Sequence, residues 1–294
     1  MSLIIGFAGL GNMGLPMAIN MHRGLKAEGS SALRVWNRTA SKADGLVAEG
    51  AVLATSLKSL AAECDIVFAM TFDDAALETL FAAFDAGASK PLTLVSCATV
   101  DPELIKRLAQ TASKFVTLAS SPVFGRPEAA AAKQLVAVLA GPSAACDAAA
   151  PFLHHTCRKI TRLPGTNAHA ANVLKLTGNF MILSMIDLLA QAQTLAECNG
   201  LARGDVVDVI ASLFPGPIVG GYSERIARDE FASGFSVVGG LKDAGLVKGL
   251  AQRSGASVPY ADVAYDHLVR QKEDGGAEMD WASLTQIVRK DSGL

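Results

Sequence analysis

A doubly wound parallel α/β sheet followed by an all-helical domain is the fold the sequence predicts, and three observations predict it. Short apolar runs alternate with helix-length segments through the amino-terminal half. A glycine-rich turn follows the first of those runs. After about residue 160 the strand signals give way to a single long apolar segment with helical periodicity.

The elements follow in order. LIIGFAG at 3–9 is an apolar run ending in glycine, and NMGLPMAINMHRGLK behind it places apolar residues at helical spacing, which reads as strand, turn, helix. LRVWNR at 33–38, DIVFAM at 65–70, LTLVSC at 92–97, FVTLAS at 115–120 and QLVAVLAG at 134–141 read as five further strands of a mostly parallel sheet covered on both faces. From Thr166 to Asn199 there is no proline and only Gly178 as a breaker, which predicts a helix of about 30 residues, about 45 Å long. Its apolar residues lie almost all round it, so several sides need cover, either from a second copy of the chain or from the rest of this one. Lys175, Asn179, Asp187 and Gln191 interrupt it too often for a lipid-facing span. Gly200 to Leu294 reads as further helices broken near FPGP and SGASVP.

Composition narrows the function classes. Half the residues are hydrophobic and only 18% charged, which fits a globular protein whose surface is partly taken up by a subunit interface. The net charge is -2 and no Lys/Arg run exceeds a dipeptide, so no nucleic-acid partner is expected. Five cysteines, an odd number without metal-ligand spacing, read as small buried hydrophobes in a reducing compartment, with no metal site. With no leader-like start, a cytoplasmic location is expected.

The sharpest local pattern is Gly9, Gly11 and Gly14, immediately after a strand and opening a helix. Gly9 allows the tight turn, Gly11 lets the backbone approach a pyrophosphate, and Gly14 permits close helix-to-strand contact. Leu10, Asn12 and Met13 complete the loop, whose N–H groups would face the anion. This makes the sheet Rossmann-type and sets the expected division: a dinucleotide-binding domain at 1–163, then a helical domain for substrate binding and dimerisation at 164–294, entered through the long interdomain helix. At the end of the second strand stand Asn37, Arg38 and Thr39 rather than an acid. A carboxylate there would repel a 2′-phosphate and an arginine can grip one, so NADP is favoured over NAD; Arg38 stacking on adenine, or serving as a surface charge, is the other reading. Met70 and Thr71 after the third expected strand, and Thr99 after the fourth, lie where a nicotinamide needs walls. Thr99 fits equally as the cap of a helix beginning near Pro102.

Within the long helix Asn172, Lys175 and Asn179 fall at i, i+3 and i+7, on one stripe. A lysine in apolar surroundings pays desolvation unless a polar or negative group meets it. Hydride transfer at an alcohol carbon requires a partner for the hydroxyl proton, which a lysine can supply; pairing with a structural acid, or reaching out to solvent, is the plain alternative.

Taken together, GFAGLGNMGLPMAINM at 6–21, WNRT at 36–39, ATVDP at 98–102, SPVFGRPEAAAA at 121–132, KLTGN at 175–179 and GGLKDAGL at 239–246 resemble the β-hydroxyacid dehydrogenase family in order and spacing. That resemblance implies a catalytic Lys175, an orienting Asn179, Thr99 near the nicotinamide, and Lys242, followed by Asp243, at the substrate and cofactor cleft. It also implies a homodimer or homotetramer, and reversible NAD(P)-dependent interconversion of a β-hydroxy acid and a semialdehyde or keto acid. Two departures stand out. Where the family carries a Ser-Gly-Gly turn for the substrate carboxylate, this chain has Phe124, Gly125 and Arg126, of which only Gly125 matches; these three, with Ser121 and Asn172, are the expected contacts to a small acidic substrate, the Arg126 guanidinium either binding the anion or facing solvent. His169 and Ala171 replace the usual glycines before the lysine. The alternatives are an NADPH-dependent imine reductase and a non-catalytic nucleotide-binding scaffold.

Overall fold

The computed structural model describes residues 3–232 and 234–294. The chain forms two compact units, Met1–Lys175 and Leu176–Leu294. The division between these compact units falls inside the long helix.

The first unit begins β1 (Ile5–Ala8), α1 (Gly14–Ala27), β2 (Arg34–Trp36), α2 (Asp44–Ala48), β3 (Val52–Leu53), α3 (Leu57–Glu63), β4 (Ile66–Ala69), α4 (Asp74–Gly87), β5 (Leu92–Ser96), α5 (Pro102–Thr111) and β6 (Val116–Ser120). Its six strands are all parallel, in the order β3-β2-β1-β4-β5-β6. The order reverses between β1 and β4, which is where open α/β sheets bind ligands. Alternate residues feed opposite layers. Ile5, Phe7, Ile66, Phe68 and Val95 pack with Met17, Met21 and Leu25 of α1, whereas Val67, Ala69, Leu92, Leu94 and Leu118 pack with Leu77, Phe81 and Phe84 of α4. Both faces are covered, so β1 and β4 are buried throughout. The expected strands are present. β3 escaped notice because it is two residues long with both side chains exposed, and the four apolar residues at 51–54 are too short a run to stand out as a strand.

A second sheet follows, built from β7 (Val123–Phe124), β8 (Leu135–Leu139) and β9 (Cys157–Arg162), with α6 (Pro127–Ala131) and α7 (Ser143–Leu153) between them. β7 is antiparallel to β8, and β8 parallel to β9. QLVAVLAG is thus the centre of this small sheet and not a strand of the main one. Ser120 and Ala140 exchange antiparallel hydrogen bonds at 2.9 and 3.0 Å, so β8 runs against β6 and cannot extend the parallel ladder. β9 was missed because CRKITR shows no apolar alternation and is mostly solvent-facing.

The long helix is α8 (His169–Cys198), 30 residues as expected. It is followed by α9 (Arg203–Leu213), α10 (Pro217–Ala227), α11 (Val237–Ser254), α12 (Pro259–Gln271) and α13 (Thr285–Asp291). Proline occupies the first turn of α10 and α12, and Ser236 caps α11 by accepting from Gly239 N at 3.2 Å. Leu183, Ile186, Leu189 and Ala190 of α8 form the core of the second unit with Ile226, Phe231, Leu268 and Trp281. By length and composition α8 is long and apolar enough to cross a membrane, with 44% of its most apolar window buried inside the protein. Two of its buried polar residues in this unit meet protein partners: Asp187 lies 2.6 Å from His267 Nδ1, and Gln193 donates to the Ser223 carbonyl at 2.7 Å. Met181, Leu188 and Leu195, seven residues apart, stay exposed along one edge. All five cysteines are free; Cys64, Cys97, Cys146 and Cys157 are buried, and Cys198 is exposed against expectation because it ends the helix.

Candidate active site

The turn after β1 is built for an anion. Gly9 has φ +94°, and a Cβ there would stand 2.1 Å from the Met70 carbonyl oxygen; one on Gly14 would stand 1.9 Å from the Gly9 carbonyl oxygen. Only glycine lets β1, β4 and α1 meet this closely. Gly11 differs, because a Cβ on it would meet nothing within 4 Å. Its backbone opens onto free space, and the amino terminus of α1 begins at Met13 with no side-chain cap in the way. Gly11 and Asn12 are exposed, Met13 half-buried and Leu10 buried.

Asn37 pins this loop from the neighbouring strand. Its Oδ1 accepts from Leu10 N at 2.8 Å and its Nδ2 donates to the Thr39 carbonyl at 2.8 Å. Asn37, expected among the cofactor-binding residues, thus shapes the loop and turns the end of β2. Arg38 and Thr39 are exposed beside it. Past β4, Met70 and Thr71 are half-buried, and the Thr71 hydroxyl has no partner among the described residues. Phe72 next to it is 59% exposed, an aromatic wall that sequence reasoning passed over. Thr99 is half-buried in the loop after β5, and the cap of α5 is Asp101, which accepts from Glu103 N at 2.9 Å. The capping role weighed for Thr99 thus belongs to Asp101.

Around the start of α8 the same unit gathers Ser121, Phe124, Asn172 and Lys175. The Asn172 side chain accepts from Ser120 Oγ and donates to the Ala98 and Val100 carbonyls, both at 3.2 Å. Both of its N–H donors are used inside the fold, so Asn172 fastens α8 to the loop bearing Thr99, and the substrate contact expected of it has no donor left. The Ser121 hydroxyl is fully buried and has no partner among the described residues. Gly125 has φ +133°, and a Cβ there would stand 2.6 Å from Leu135 Cδ2. The turn from Phe124 to the half-buried Arg126 therefore depends on glycine. Lys175 is only 7% exposed, and its Nζ lies 4.0 Å from the centre of the Phe124 ring.

In the second unit Asn179, one helical turn beyond Lys175, donates from Nδ2 to Asp243 Oδ2 at 2.6 Å. Asp243 is buried, and the Lys242 ammonium lies 2.9 Å from its other oxygen, close enough for an ion pair but without hydrogen-bond alignment. Asn179 and Asp243, with Phe180, Val247 and Trp281, line a small cavity. Sequence reading singled out Asn179 and Lys242; Asp243 entered only as the residue after the lysine, although a carboxylate among the glycines and apolar residues of GGLKDAGL needs a buried partner.

The model of the NAD-binding domain of 6-phosphogluconate dehydrogenase matches residues 4–165. The oxidoreductase YfjR of Bacillus subtilis is 33% identical over 97% of this chain and 99% of its own. A 3-hydroxyisobutyrate dehydrogenase of Pseudomonas aeruginosa is 30% identical over 97% and 98%. The chain belongs to the 3-hydroxyisobutyrate dehydrogenase-like β-hydroxyacid dehydrogenase family. It is an NAD(P)-dependent oxidoreductase. Among solved structures, a Mycobacterium tuberculosis 3-hydroxyisobutyrate dehydrogenase with L-serine superposes with a TM-score of 0.84 at 25% identity, covering 98% of this chain and all of that one. An imine reductase from Pseudomonas sp. reaches 0.64 at 20% identity over 97% and 99%, a likeness of fold alone. In this β-hydroxyacid dehydrogenase the Phe124 ring faces the Lys175 amine.

Proposed function

We propose that the protein moves a hydride between NADP and a small β-hydroxy acid or its semialdehyde, with Lys175 carrying the accompanying proton. The supporting observation is Lys175 itself: an amine almost wholly buried, on a helix fastened by Asn172 to the loop that carries Thr99. When bound, the nicotinamide supplies or takes up the hydride. In reduction, Lys175 Nζ–H gives its proton to the carbonyl oxygen as the C–O double bond becomes single; in oxidation, the neutral amine takes the proton back from the hydroxyl. Asn179, steadied by Asp243, orients the reacting oxygen or the lysine.

Gly9 to Gly14 would hold the pyrophosphate, Arg38 and Thr39 the 2′-phosphate, and Met70, Thr71, Thr99 and Lys242 the nicotinamide half. Arg126, with the Ser121 hydroxyl and the Gly125 backbone, would receive the substrate carboxylate. A similar enzyme has been solved with L-serine, itself a β-hydroxy acid, which supports this substrate class. The exposed stripe of Met181, Leu188 and Leu195 supports a homodimer or larger homo-oligomer, and five free thiols support a reducing, cytoplasmic setting. Lys175→Ala tests the reading: turnover falls by at least about a hundredfold while NADPH binding, followed by fluorescence titration, is kept. Near-normal turnover in that variant refutes the proton-carrier role.

A further inference from the structure

We propose that Phe124 is a positioning residue for Lys175, holding the ammonium over its ring face by a cation–π contact; this rests on the proton-carrier reading above. A lysine side chain has four rotatable bonds and loses much rotamer freedom when one geometry is required of it. Two anchors narrow that freedom here. One is the backbone at the start of α8, tied down through Asn172, three residues before Lys175. The other is the ring. Phe124 pairs with Val136 in the second sheet, and its side chain packs on Val138, Ala140 and Ala171. The turn after it needs the left-handed conformation of Gly125, so the ring cannot drift along the strand. The two anchors meet at 4.0 Å between Nζ and the ring centre, inside the distance at which the ring's negative face attracts a cation. Lys175 is nearly excluded from water, where such a contact is strongest.

The ring also narrows the substrate class. An aromatic face offers no hydroxyl donor to a carboxylate, so the acid group is received farther along the turn, and the carbon chain beside the reacting carbon meets an apolar wall. A β-hydroxy acid with a branched or aromatic substituent suits that wall better than a compact diacid.

The experiment uses the full chain with mono-, di- and trifluorophenylalanine in place of Phe124. These keep the shape of the ring while progressively weakening its negative face. NADPH-dependent reduction of the semialdehyde of 3-hydroxyisobutyrate, the direction in which the ammonium is the reacting form, is measured, with Lys175→Ala and Phe124→Leu in parallel. We expect log kcat to fall in step with fluorination, reaching about a tenfold loss at the trifluoro ring. Phe124→Leu should lose about as much, Phe124→Trp should retain activity, and KM for NADPH should stay unchanged. With 13C-labelled lysine, one ε-methylene signal shifted upfield by the ring, assigned by its absence in Lys175→Arg, should be lost in Phe124→Leu. A flat fluorination series together with no ring-shifted lysine signal overturns the proposal. If Lys175→Ala is inactive in that case, the proton-carrier reading survives; if it turns over normally, both fail.

Discussion

The two units place their functional groups by opposite means. In the first, the groups proposed to frame the nucleotide are neighbours in sequence or on adjacent strands: Gly9 to Gly14 is one turn, and Asn37 reaches Leu10 from the end of the strand paired with β1. In the second, two buried polar pairs join residues far apart along the chain, Asn179 and Asp243 being 64 residues apart and Asp187 and His267 80. A parallel sheet collects its loops at one edge by construction, whereas a helical unit must bring faces together, so only its tertiary packing says which polar residues meet.

The contrast is sharpest at the glycines. Gly9→Ala forces a side chain against the Met70 carbonyl in a left-handed conformation, so we expect a loss of more than about 3 kcal/mol in thermal or urea unfolding, and no nucleotide binding. Gly11→Ala, with open space around it, should leave the melting temperature in place and weaken NADPH alone. If both variants melt alike, the loop is not the rigid element described.

In the helical unit, Asp243→Asn removes the charge facing Lys242 and weakens the hold on Asn179, and kcat should fall about 10- to 100-fold, the scale of a lost charged hydrogen bond. An unchanged kcat would mean that the long-range pair is structural only. Smaller effects separate Arg38 from Asn37. Arg38→Ala should cost roughly tenfold in NADPH affinity and little in NADH, whereas Asn37→Ala should weaken both equally by several-fold, because it loosens the loop shared by the two cofactors.

The smallest expected effect is on pH. The Asp187 hydrogen bond raises the His267 pKa above its ordinary value, outweighing burial, with Asp266 adding to it and Arg270 opposing. The folded value exceeds the unfolded one, so the stabilisation is fully present below about pH 6.5 and is lost as pH rises through the raised value. His267→Gln should therefore lower the melting temperature by a few degrees at pH 6 and by less at pH 9. A loss that is the same at both pH values would show that the histidine does not titrate in the folded unit.

Much of the first unit was legible because strand, glycine turn and helix are local signals. The parallel order, the Gly9–Gly11–Gly14 turn and the 30-residue α8 all stand where periodicity put them. What escaped was non-local or too short to carry a pattern. β3 has two residues, β9 no alternation, and the reversal at Ser120 and Ala140 that moves β8 into its own sheet depends on pairing across a loop. Asn172 looked like a substrate ligand because it shares a stripe with Lys175; a helical stripe shows which way a side chain points but not what waits there. The partnership of Phe124 with Lys175 joins a strand to a helix 51 positions later, beyond any local window.

The thiols have a practical consequence. Burial pushes the Cys64 thiol up to about 12 and raises Cys97, Cys146 and Cys157 as well, so these four stay protonated and closed to electrophiles at neutral pH. Cys198, exposed at the last residue of α8, is where a maleimide dye would attach. The native chain thus carries its own attachment point for a single fluorophore per subunit, and no cysteine needs to be engineered in or out before its motions are followed by light.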